Sequence, residues 1–403
     1  MNLTLTVLWP KIAAPQIDEI MFSFNFCRRM SKRLCMEAGL RCHWIEYTED
    51  SNLRQVLSQV IGDRVLIVTH PEILLSPAGL SVLLDCLEHG HPACGPVYNR
   101  SVLSHQVASL PLPYLDIKSY LEIATILSTK ENGNCIAVDA LDPGCVLYRL
   151  DFLKTRWAEL PPLDISKSIQ KINSRGGVVA TGALIHSGFV KSFEAERDDL
   201  VRLVPDGVRK ALDIGCAMGG YGKALREVRP EVSLTGIEPN PLMAEAAGAF
   251  YDEIIELPVE QADLTCDFDL INCGDILEHL VDPWGMLKRL NGLLRPGGYL
   301  VMSIPNVGHW SVAKNLLQGG FEYIPLGLLC VSHVRWFTES SVRQALEDSG
   351  FDVDIFEREQ IPPTPKGDRF IHHMCRAGYG DEESLKTNEF IIRAAKRSDL
   401  THS

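Results

Sequence analysis

Residues 211–225 read Ala-Leu-Asp-Ile-Gly-Cys-Ala-Met-Gly-Gly-Tyr-Gly-Lys-Ala-Leu. The apolar beginning predicts a strand, and the glycines after it predict a tight turn that opens a helix. Such a turn brings bare backbone amides close to a ligand at the helix N-terminus. A second apolar stretch, residues 232–238, ends at Glu238, where a carboxylate can accept hydrogen bonds from a ribose diol. Together the two stretches predict a nucleoside-binding strand–helix–strand unit.

The spacing of the glycines separates two kinds of nucleoside ligand. A dinucleotide fingerprint has the pattern G-x-G-x-x-G, in which the second glycine lets a pyrophosphate approach the backbone. Gly215 and Gly219 are present, but Ala217 stands where that second glycine belongs. Asp213, two residues before the first glycine, is more typical of enzymes that use S-adenosylmethionine. The pattern therefore favours a ligand without a pyrophosphate.

Composition and charge exclude several classes of protein. Of the 403 residues, 23% are charged and 46% hydrophobic, as in soluble globular proteins with about two domains. The formal net charge of -13 argues against a nucleic-acid partner bound by general attraction. Twelve cysteines without a C-x-x-C pair predict neither a zinc framework nor a disulfide scaffold, so we expect no metal site and reduced thiols. The chain shows no signal-peptide pattern and no apolar run near the roughly 18 residues of a membrane span, which predicts a cytoplasmic protein.

The second half of the chain alternates regularly between strands and helices. Strands are predicted at 210–215, 232–238, 268–273 and 298–304, helices near 220–228, 240–250, 283–294 and 338–349, and a terminal strand at 386–396. This alternation predicts a doubly wound parallel sheet with an antiparallel edge. Ligands of such sheets bind at the carboxyl ends of the strands, so the loops after the four strands are expected to share one crevice.

The first half is also α/β in pattern, although it becomes less regular after residue 110, where β-rich or mixed structure is expected. A polar helix is predicted from Phe193 to about Leu203, ahead of Pro205-Asp-Gly207. We therefore expect an α/β domain over 1–190, a linker helix within 191–207 and a second domain over 208–403.

Three further motifs carry a family resemblance. They are Gly274-Asp-Ile-Leu-Glu-His-Leu-Val-Asp-Pro-Trp284, Ser303-Ile-Pro-Asn-Val-Gly-His309 and His333-Val-Arg-Trp-Phe-Thr338. In this order they resemble class I S-adenosylmethionine-dependent methyltransferases, in a subgroup with ubiquinone-biosynthesis-type O-methyltransferase relatives that often occurs in polysaccharide gene clusters. The resemblance covers roughly 200–396. It implies a Rossmann-like seven-stranded fold, S-adenosylmethionine as cofactor, and O-methylation of a sugar, glycan or related small molecule.

The resemblance also implies a set of residues that contact the cofactor: Asp213, Gly215, Gly219, Glu238, Val259 and Asp275. Glu238 would bind the ribose, and Asp275 would face the amino-acid end of the cofactor or the reacting centre. Pro258 stands where an acidic residue usually contacts adenine, so backbone and apolar contacts such as Val259 would hold that ring. The substitutions at Ala217 and Pro258 leave open a binding or scaffold protein that has lost turnover.

Methyl transfer to a hydroxyl needs a base, and histidine suits this role near neutral pH. His279 and then His333 are the candidate catalytic residues, although His279 could instead orient the helix that begins at Pro283. His309, Arg335 and Trp336 are the candidate substrate-binding residues. For each of these three, a structural role in helix capping, ion pairing or packing remains the alternative.

The first half resembles GT-A glycosyltransferases in two stretches, residues 64–77 and residues 142–149. That family holds a metal and a sugar nucleotide through an Asp-x-Asp motif, and Thr69-His-Pro-Glu72 stands at that place. The expected role is a degenerate module that binds substrate or a partner. The alternative is a bifunctional enzyme that holds a metal through His70 and Glu72.

Overall fold

The computed structural model describes residues 4–12, 18–48, 50–101, 103–110, 116–131, 133–161, 163–188, 193–265, 267–325 and 327–397. The chain divides into two compact units, Met1–Val190 and Lys191–Ser403. The residues around this division, 189–192, lie outside the described ranges. Each unit is built on its own seven-stranded sheet, and no described helix is long and apolar enough to cross a membrane.

The first unit is a mixed α/β sheet. Its strands are β1 (Leu5–Pro10), β2 (Cys42–Tyr47), β3 (Arg64–Val68), β4 (Ala93–Tyr98), β5 (Cys135–Val138), β6 (Cys145–Arg149) and β7 (Gly177–Ile185). Its helices are α1 (Asp18–Glu37), α2 (Leu53–Leu57), α3 (Pro77–Glu88), α4 (Ile117–Lys130), α5 (Leu150–Ala158) and α6 (Ile165–Asn173). The strand order is β2-β1-β3-β6-β4-β7-β5.

The strands of the first unit run in both directions. β1 lies parallel to β2 and β3, whereas β6 is antiparallel to β3 and β4. The four residues from Val65 to Val68 are fully buried, as expected of a strand covered on both faces. The region beyond residue 110 contains three helices, α4 to α6, as well as strands, so it is mixed rather than β-rich.

The second unit alternates strands and helices as the sequence predicts. Its strands are β8 (Lys210–Ile214), β9 (Ser233–Ile237), β10 (Glu253–Ile255), β11 (Phe268–Gly274), β12 (Leu294–Pro305), β13 (Phe351–Gln360) and β14 (Thr387–Lys396). Its helices are α7 (Asp198–Val201), α8 (Gly220–Val228), α9 (Pro241–Ala247), α10 (Pro283–Leu293), α11 (Trp310–Leu317), α12 (Glu339–Asp348), α13 (Pro365–Arg376) and α14 (Glu382–Lys386).

The strand order of this unit, β10-β9-β8-β11-β12-β14-β13, confirms the Rossmann-like α/β fold. Five neighbouring strands run parallel to one another: β10, β9, β8, β11 and β12. The antiparallel strand is β14, but it pairs with both β12 and β13 and therefore lies inside the sheet, not at its edge. The edge is β13, which the sequence did not reveal because charged residues interrupt its apolar positions.

Helices cover both faces of the second sheet because successive strand residues point to opposite sides. On β8, Leu212 packs in a core with α10 and α12, while Ala211 packs in another with α7 and α8. Local signals start the helices where expected: Asp282 accepts a hydrogen bond from the Gly285 amide at 2.9 Å, and Pro283 occupies the first helical position.

The predicted polar helix from Phe193 to Leu203 is wrong in extent. The α-helix begins only at Asp198, because Arg197 adopts a left-handed conformation with φ of 53°, and it ends at Val201. The segment 191–207 falls within the second compact unit, Lys191–Ser403.

His309 occupies a structural position at the start of α11. Its Nδ1 accepts a hydrogen bond from the Ser311 amide at 3.3 Å, and only 1% of the residue is exposed. Burial lowers the pKa of His309 to about 3. The burial and the capping bond favour the structural alternative for His309, and its substrate-binding role stays a prediction.

Gly219 requires glycine both for its left-handed backbone and for its close approach to Ala247, whereas Gly297 shares only the left-handed backbone. Both have a left-handed φ, 87° and 76°, but a Cβ at Gly219 would lie 2.9 Å from the Ala247 Cα, whereas none of the described atoms approaches one at Gly297. We expect Gly297→Ala to lower the free energy of unfolding by about 1–2 kcal/mol, and Gly219→Ala by about 2–4 kcal/mol. Urea unfolding followed by circular dichroism measures both, and equal losses would contradict the close approach.

The burial of His309 also predicts that the folded state loses stability at acidic pH. The unfolded state binds a proton on this histidine near pH 6.5, whereas the folded state does so only near pH 3, so its contribution to stability is lost as the pH falls through that window. We expect His309→Asn, which keeps a capping oxygen, to remove about 2 kcal/mol of the stability loss between pH 7 and pH 5. Unfolding measured against pH tests this, with His372→Asn on the exposed face of α13 as the control; parallel curves for wild type and His309→Asn would refute it.

Candidate active site

The candidate site lies at the carboxyl ends of β8, β9, β11 and β12. These strands are parallel and adjacent, so the loops that follow them lie at one edge of the sheet. Gly215, Glu238, Asp275 and His309 all follow such strand ends, which is the arrangement that the sequence predicts for a shared crevice.

The glycine turn after β8 is held by the carboxylate at the end of β9. Gly215 and Gly219 adopt left-handed conformations, and Ala217 does so too, with φ of 46°. Glu238 accepts hydrogen bonds from the Ala217 amide at 3.0 Å and from the Asn240 amide at 2.9 Å. A carboxylate oxygen can accept more than one hydrogen bond, which is the property that a ribose-binding carboxylate needs.

Asp213 lies beneath this turn, with 2% of the residue exposed. It accepts a hydrogen bond from the Asn272 amide at 2.7 Å and another from the Tyr251 hydroxyl, whose oxygen accepts the Gly222 amide at 3.1 Å. Burial raises the pKa of Asp213 to about 6, and the bonds from Asn272 and Tyr251 act in the opposite direction. One carboxylate oxygen thus bonds to Asn272 of β11, and the other supports the first turn of α8 through Tyr251.

Arg197 organises a group of acidic residues on the opposite side of the β11 strand end. Its guanidinium donates to Asp275 at 2.7 Å, to Asp199 at 2.8 Å and to Glu389 at 3.0 Å. It also donates to the Ser303 hydroxyl at 2.9 Å, which in turn donates to Asp275 at 2.7 Å. Asp275 is therefore fixed in orientation by one arginine and one serine.

Backbone strain concentrates at this site. Among the described residues, the non-glycine positions with positive φ are Arg197, Ala217 and Asp275. All three belong to the loops and networks described above. Such conformations cost on the order of 1–3 kcal/mol each and persist where surrounding contacts determine them, as they do at ligand-binding sites.

The two candidate catalytic histidines lie together beside a buried carboxylate. The ring centroids of His279 and His333 are 4.8 Å apart in an edge-to-face arrangement. The His333 Nε2 lies 3.9 Å from an oxygen of Glu278, whose two oxygens are buried without a hydrogen-bond partner among the described residues. Burial, then the charge of Asp275, raises the pKa of Glu278 well above its usual range. Burial, then the charge of His279, lowers the pKa of His333 to about 4, so this imidazole is uncharged at pH 7.

The segment that carries His333 is fastened to the short 3-10 helix Leu277–His279. The Glu278 carbonyl accepts the amides of Val334 at 2.8 Å and Arg335 at 3.0 Å. The Arg335 guanidinium donates to the carbonyls of Val281 at 2.5 Å and Val334 at 2.8 Å. The structure thus places Arg335 near the predicted site, but with its charge directed at backbone carbonyls.

Trp336 belongs to a group of partly exposed aromatic side chains. Its ring contacts Phe321, with centroids 5.8 Å apart, and Phe321 contacts Tyr323 at 5.3 Å. Between 37% and 43% of each of these three residues is exposed. Val259, by contrast, packs in the core with 6% exposed, so its predicted contact with adenine would come from the edge of that core.

Several residues of the site were missed by the sequence interpretation: Arg197, Tyr251, Asn272, Glu278, Ser303 and Glu389. Glu278 stands in the quoted Gly274–Trp284 motif directly before His279, and that adjacency was an available signal. The roles of the others depend on contacts between strands distant in sequence, such as the 192 residues that separate Arg197 from Glu389.

The absence of a metal site, expected from the cysteine spacing, does not follow from the geometry. Among the described residues, two groups bring three possible metal ligands within 4.8 Å of one another: Glu278 with His279 and His333, and Cys86 with His91 and Cys135. Folding brings together side chains that no short motif unites. His70 and Glu72 belong to neither group.

Comparison with known proteins supports the assignment of the second unit. Residues 191–354 match a family model described as a methyltransferase domain. Trans-aconitate 2-methyltransferase of Methylobacterium radiotolerans is 32% identical over 121 residues, which cover 28% of this chain and 46% of that protein. Ubiquinone biosynthesis O-methyltransferase of Xanthomonas axonopodis pv. citri is 31% identical over 132 residues, covering 30% and 53%. The chain thus spans about half the length of these curated relatives.

A crystal structure of an S-adenosylmethionine-dependent methyltransferase from Mesorhizobium loti is also similar, at 19% identity and a TM-score of 0.35 over 50% of this chain and 98% of that one. The family match covers the glycine turn, the strand-end carboxylates and the His279 motif. Residues 191–354 are therefore similar to methyltransferase domains.

Proposed function

We propose that the second unit transfers the methyl group of S-adenosylmethionine to a hydroxyl oxygen of a sugar, glycan or related small molecule. The observation that carries this proposal is the pair of imidazoles, His279 and His333, beside the buried Glu278 at the end of β11. A hydroxyl acceptor must lose a proton as it attacks the methyl carbon, and an imidazole is suited to take it.

The cofactor would lie across the strand ends. In this proposal Glu238 accepts hydrogen bonds from the ribose, while the glycine turn lets the amino-acid end of the cofactor approach the protein backbone. Asp213 supports the turn from beneath through its hydrogen bond with Tyr251. Asp275, which Arg197 orients, faces the amino-acid end of the cofactor. When bound, S-adenosylmethionine supplies an electrophilic methyl group.

His279 would take the proton of the acceptor hydroxyl. It is half-buried, whereas His333 is buried and uncharged at neutral pH. His333 therefore positions the His279 ring through their edge-to-face contact, and both depend on the hydrogen bonds that fasten the 328–335 segment to Glu278. Holding the hydroxyl and the base in one orientation removes much of the entropic barrier to transfer.

The surface beside this pair favours an uncharged acceptor. Trp336, Phe321 and Tyr323 offer apolar ring faces and edges of the kind that pack against sugar C–H groups. Arg335, which could have bound an acidic acceptor, instead donates to two backbone carbonyls. This arrangement suits a glycan better than a carboxylate such as the trans-aconitate of the relatives' names.

The first unit would serve as a GT-A-like module that binds the glycan or a partner. Two stretches that carry the resemblance meet in the fold: Thr69 donates its hydroxyl to the Pro143 carbonyl at 2.7 Å and its amide to the Gly144 carbonyl at 2.9 Å. His70 and Glu72 lie outside the ligand groups found in the described residues. The contact between the two stretches supports a GT-A-like module, in which the roles of His70 and Glu72 belong to the alternative of a bifunctional enzyme.

Loss of the strand-end carboxylate should weaken cofactor binding. We expect Glu238→Ala to reduce the affinity for S-adenosylmethionine by about 1.5–3 kcal/mol, because charge-assisted bonds to the ribose are lost. Isothermal titration calorimetry measures this, with Glu253→Ala, an exposed acid on neighbouring β10, as the control of equal charge. Equal affinities of the two variants would place the ribose elsewhere, and no binding by wild type would refute the methyltransferase function itself.

Loss of the base should lower turnover without loss of the cofactor. We expect His279→Ala to reduce methyl transfer to a hydroxyl about a hundredfold or more while the Kd for S-adenosylmethionine stays within about twofold. The assay follows tritium from the methyl-labelled cofactor into a panel of oligosaccharides, a simple phenol and trans-aconitate.

The acceptor class separates the outcomes of that assay. A carboxylate needs no deprotonation at neutral pH, so transfer to trans-aconitate that His279→Ala leaves unchanged would replace the hydroxyl proposal. A matched His373→Ala change on exposed α13 should leave every rate unaltered.

A further inference from the structure

The first unit gathers three cysteines and a histidine at one end of its sheet. Cys86 lies in the last turn of α3, His91 in the loop that follows, Cys94 on β4 and Cys135 at the start of β5. The spacing is Cys-x4-His-x2-Cys, with the last cysteine 41 residues after Cys94 in the printed sequence. None of these residues takes part in the function proposed above.

The register of the sheet explains why the side chains converge. Cys94 pairs with Val178 of β7, and Cys135 on the other side of β7 pairs with Ala180. Paired residues on neighbouring strands point to the same face, and so do residues two apart on one strand. Cys94 and Cys135 therefore share a face of the sheet, and α3 packs on β4 and β7.

The sulfur of Cys86 lies between the other two. It is 2.9 Å from the sulfur of Cys135 and 3.1 Å from that of Cys94. The ligand atoms of Cys86, His91 and Cys135 all lie within 4.8 Å of one another, whereas the sulfur of Cys94 lies farther than this from at least one of them. Cys86 and Cys94 are buried, whereas Cys135 and His91 are partly exposed, which leaves a path for an ion to enter.

We propose that Cys86, His91, Cys94 and Cys135 bind one zinc ion, which holds the end of α3 and the loop after it to β4 and β5. Three thiolates and one imidazole are a ligand set typical of tetrahedral structural zinc. Two sulfurs on such an ion lie about 3.8 Å apart, given Zn–S bonds of about 2.3 Å. Metal binding therefore requires the Cys86 sulfur to move away from its two neighbours and the Cys94 sulfur to turn toward the other ligands. On binding, the thiols release their protons to the solvent and the sulfurs coordinate the metal.

A disulfide is the competing explanation, and it accounts for less of the cluster. Disulfide sulfurs lie about 2.05 Å apart, and Cys86 can bond to only one of its two neighbours. Either pairing leaves a third cysteine and His91 unexplained. A cation that draws on all four side chains uses the whole arrangement.

The test is the metal content of the untagged full-length protein, purified with a reducing agent and without chelators. We expect about one zinc ion per chain by plasma mass spectrometry for wild type, and less than about a fifth of that for Cys135→Ser and for His91→Ala. Both substitutions lie at partly exposed positions, and circular dichroism checks that each variant is folded.

Cys42→Ser provides a matched control in the same unit. Cys42 is also partly exposed and hydrogen-bonded to another thiol, that of Cys35, but among the described residues this pair belongs to no group of three ligands. This variant should keep about one zinc ion per chain. Zinc retained by Cys135→Ser and His91→Ala would overturn the proposal, as would a reduced wild type that takes up none when zinc is added.

Cobalt titration of the metal-free wild type supplies a second readout. Coordination by thiolates gives an intense charge-transfer absorption that exposed carboxylates do not produce. We expect this absorption at about one equivalent of cobalt, and its loss in Cys135→Ser. A Cys86–Cys135 or Cys86–Cys94 disulfide found by peptide mapping, with no cobalt absorption after reduction, would assign the cluster to redox chemistry instead.

Discussion

The second unit depends on one buried carboxylate. Asp213 receives a hydrogen bond from Asn272 on the neighbouring strand and another from Tyr251, and through Tyr251 it reaches the Gly222 amide of α8. Removing a carboxylate from water is costly unless its oxygens are satisfied, so these partners hold their positions together. The glycine turn itself is held through its backbone: Glu238 accepts the Ala217 amide, and the Ile237 carbonyl accepts the Gly215 amide. Asp213 thus supports from beneath a turn that the end of β9 fixes from the side.

Two further groups of residues fix the opposite side of the site: one surrounds Arg197, and the other consists of Glu278 and His333. Around Arg197 the acidic groups are paired with its charge, whereas Glu278 is buried with a raised pKa and His333 is buried with a lowered one. Burial, then the charge of Asp275, also raises the pKa of Glu389 well above its usual range, against the opposing effect of Arg197. A cationic sulfonium brought near these carboxyls would favour their ionised forms. Binding of the proposed cofactor and the charge of the site are therefore coupled.

Sequence was informative where the determinants are local. The strand before Gly215, the turn itself and the cap at Asp282 follow from neighbouring residues, and each was predicted within a residue or two. Arg197 was read as part of a polar helix because its partners lie 78 and 192 residues away along the chain. The sequence did not predict β13 for a different reason. The apolar pattern weakens at a sheet edge, and charged residues occupy half of this strand. The cluster at Cys86 depends on strand register, which no spacing of cysteines encodes.

Ala217 bears on whether the domain has lost its chemistry. If the turn had degenerated, the alanine would relax to a right-handed or extended conformation, since the left-handed one costs an L-residue about 1 kcal/mol or more. Instead it keeps φ of 46°, with its amide bonded to Glu238. The missing glycine therefore alters the shape of the turn little. The segment around His333 and Trp336 is bonded to the Glu278 carbonyl and presents the aromatic surface. In the proposed function this segment contacts the acceptor, whereas the glycine turn contacts the cofactor, so the two specificities depend on separate parts of the site.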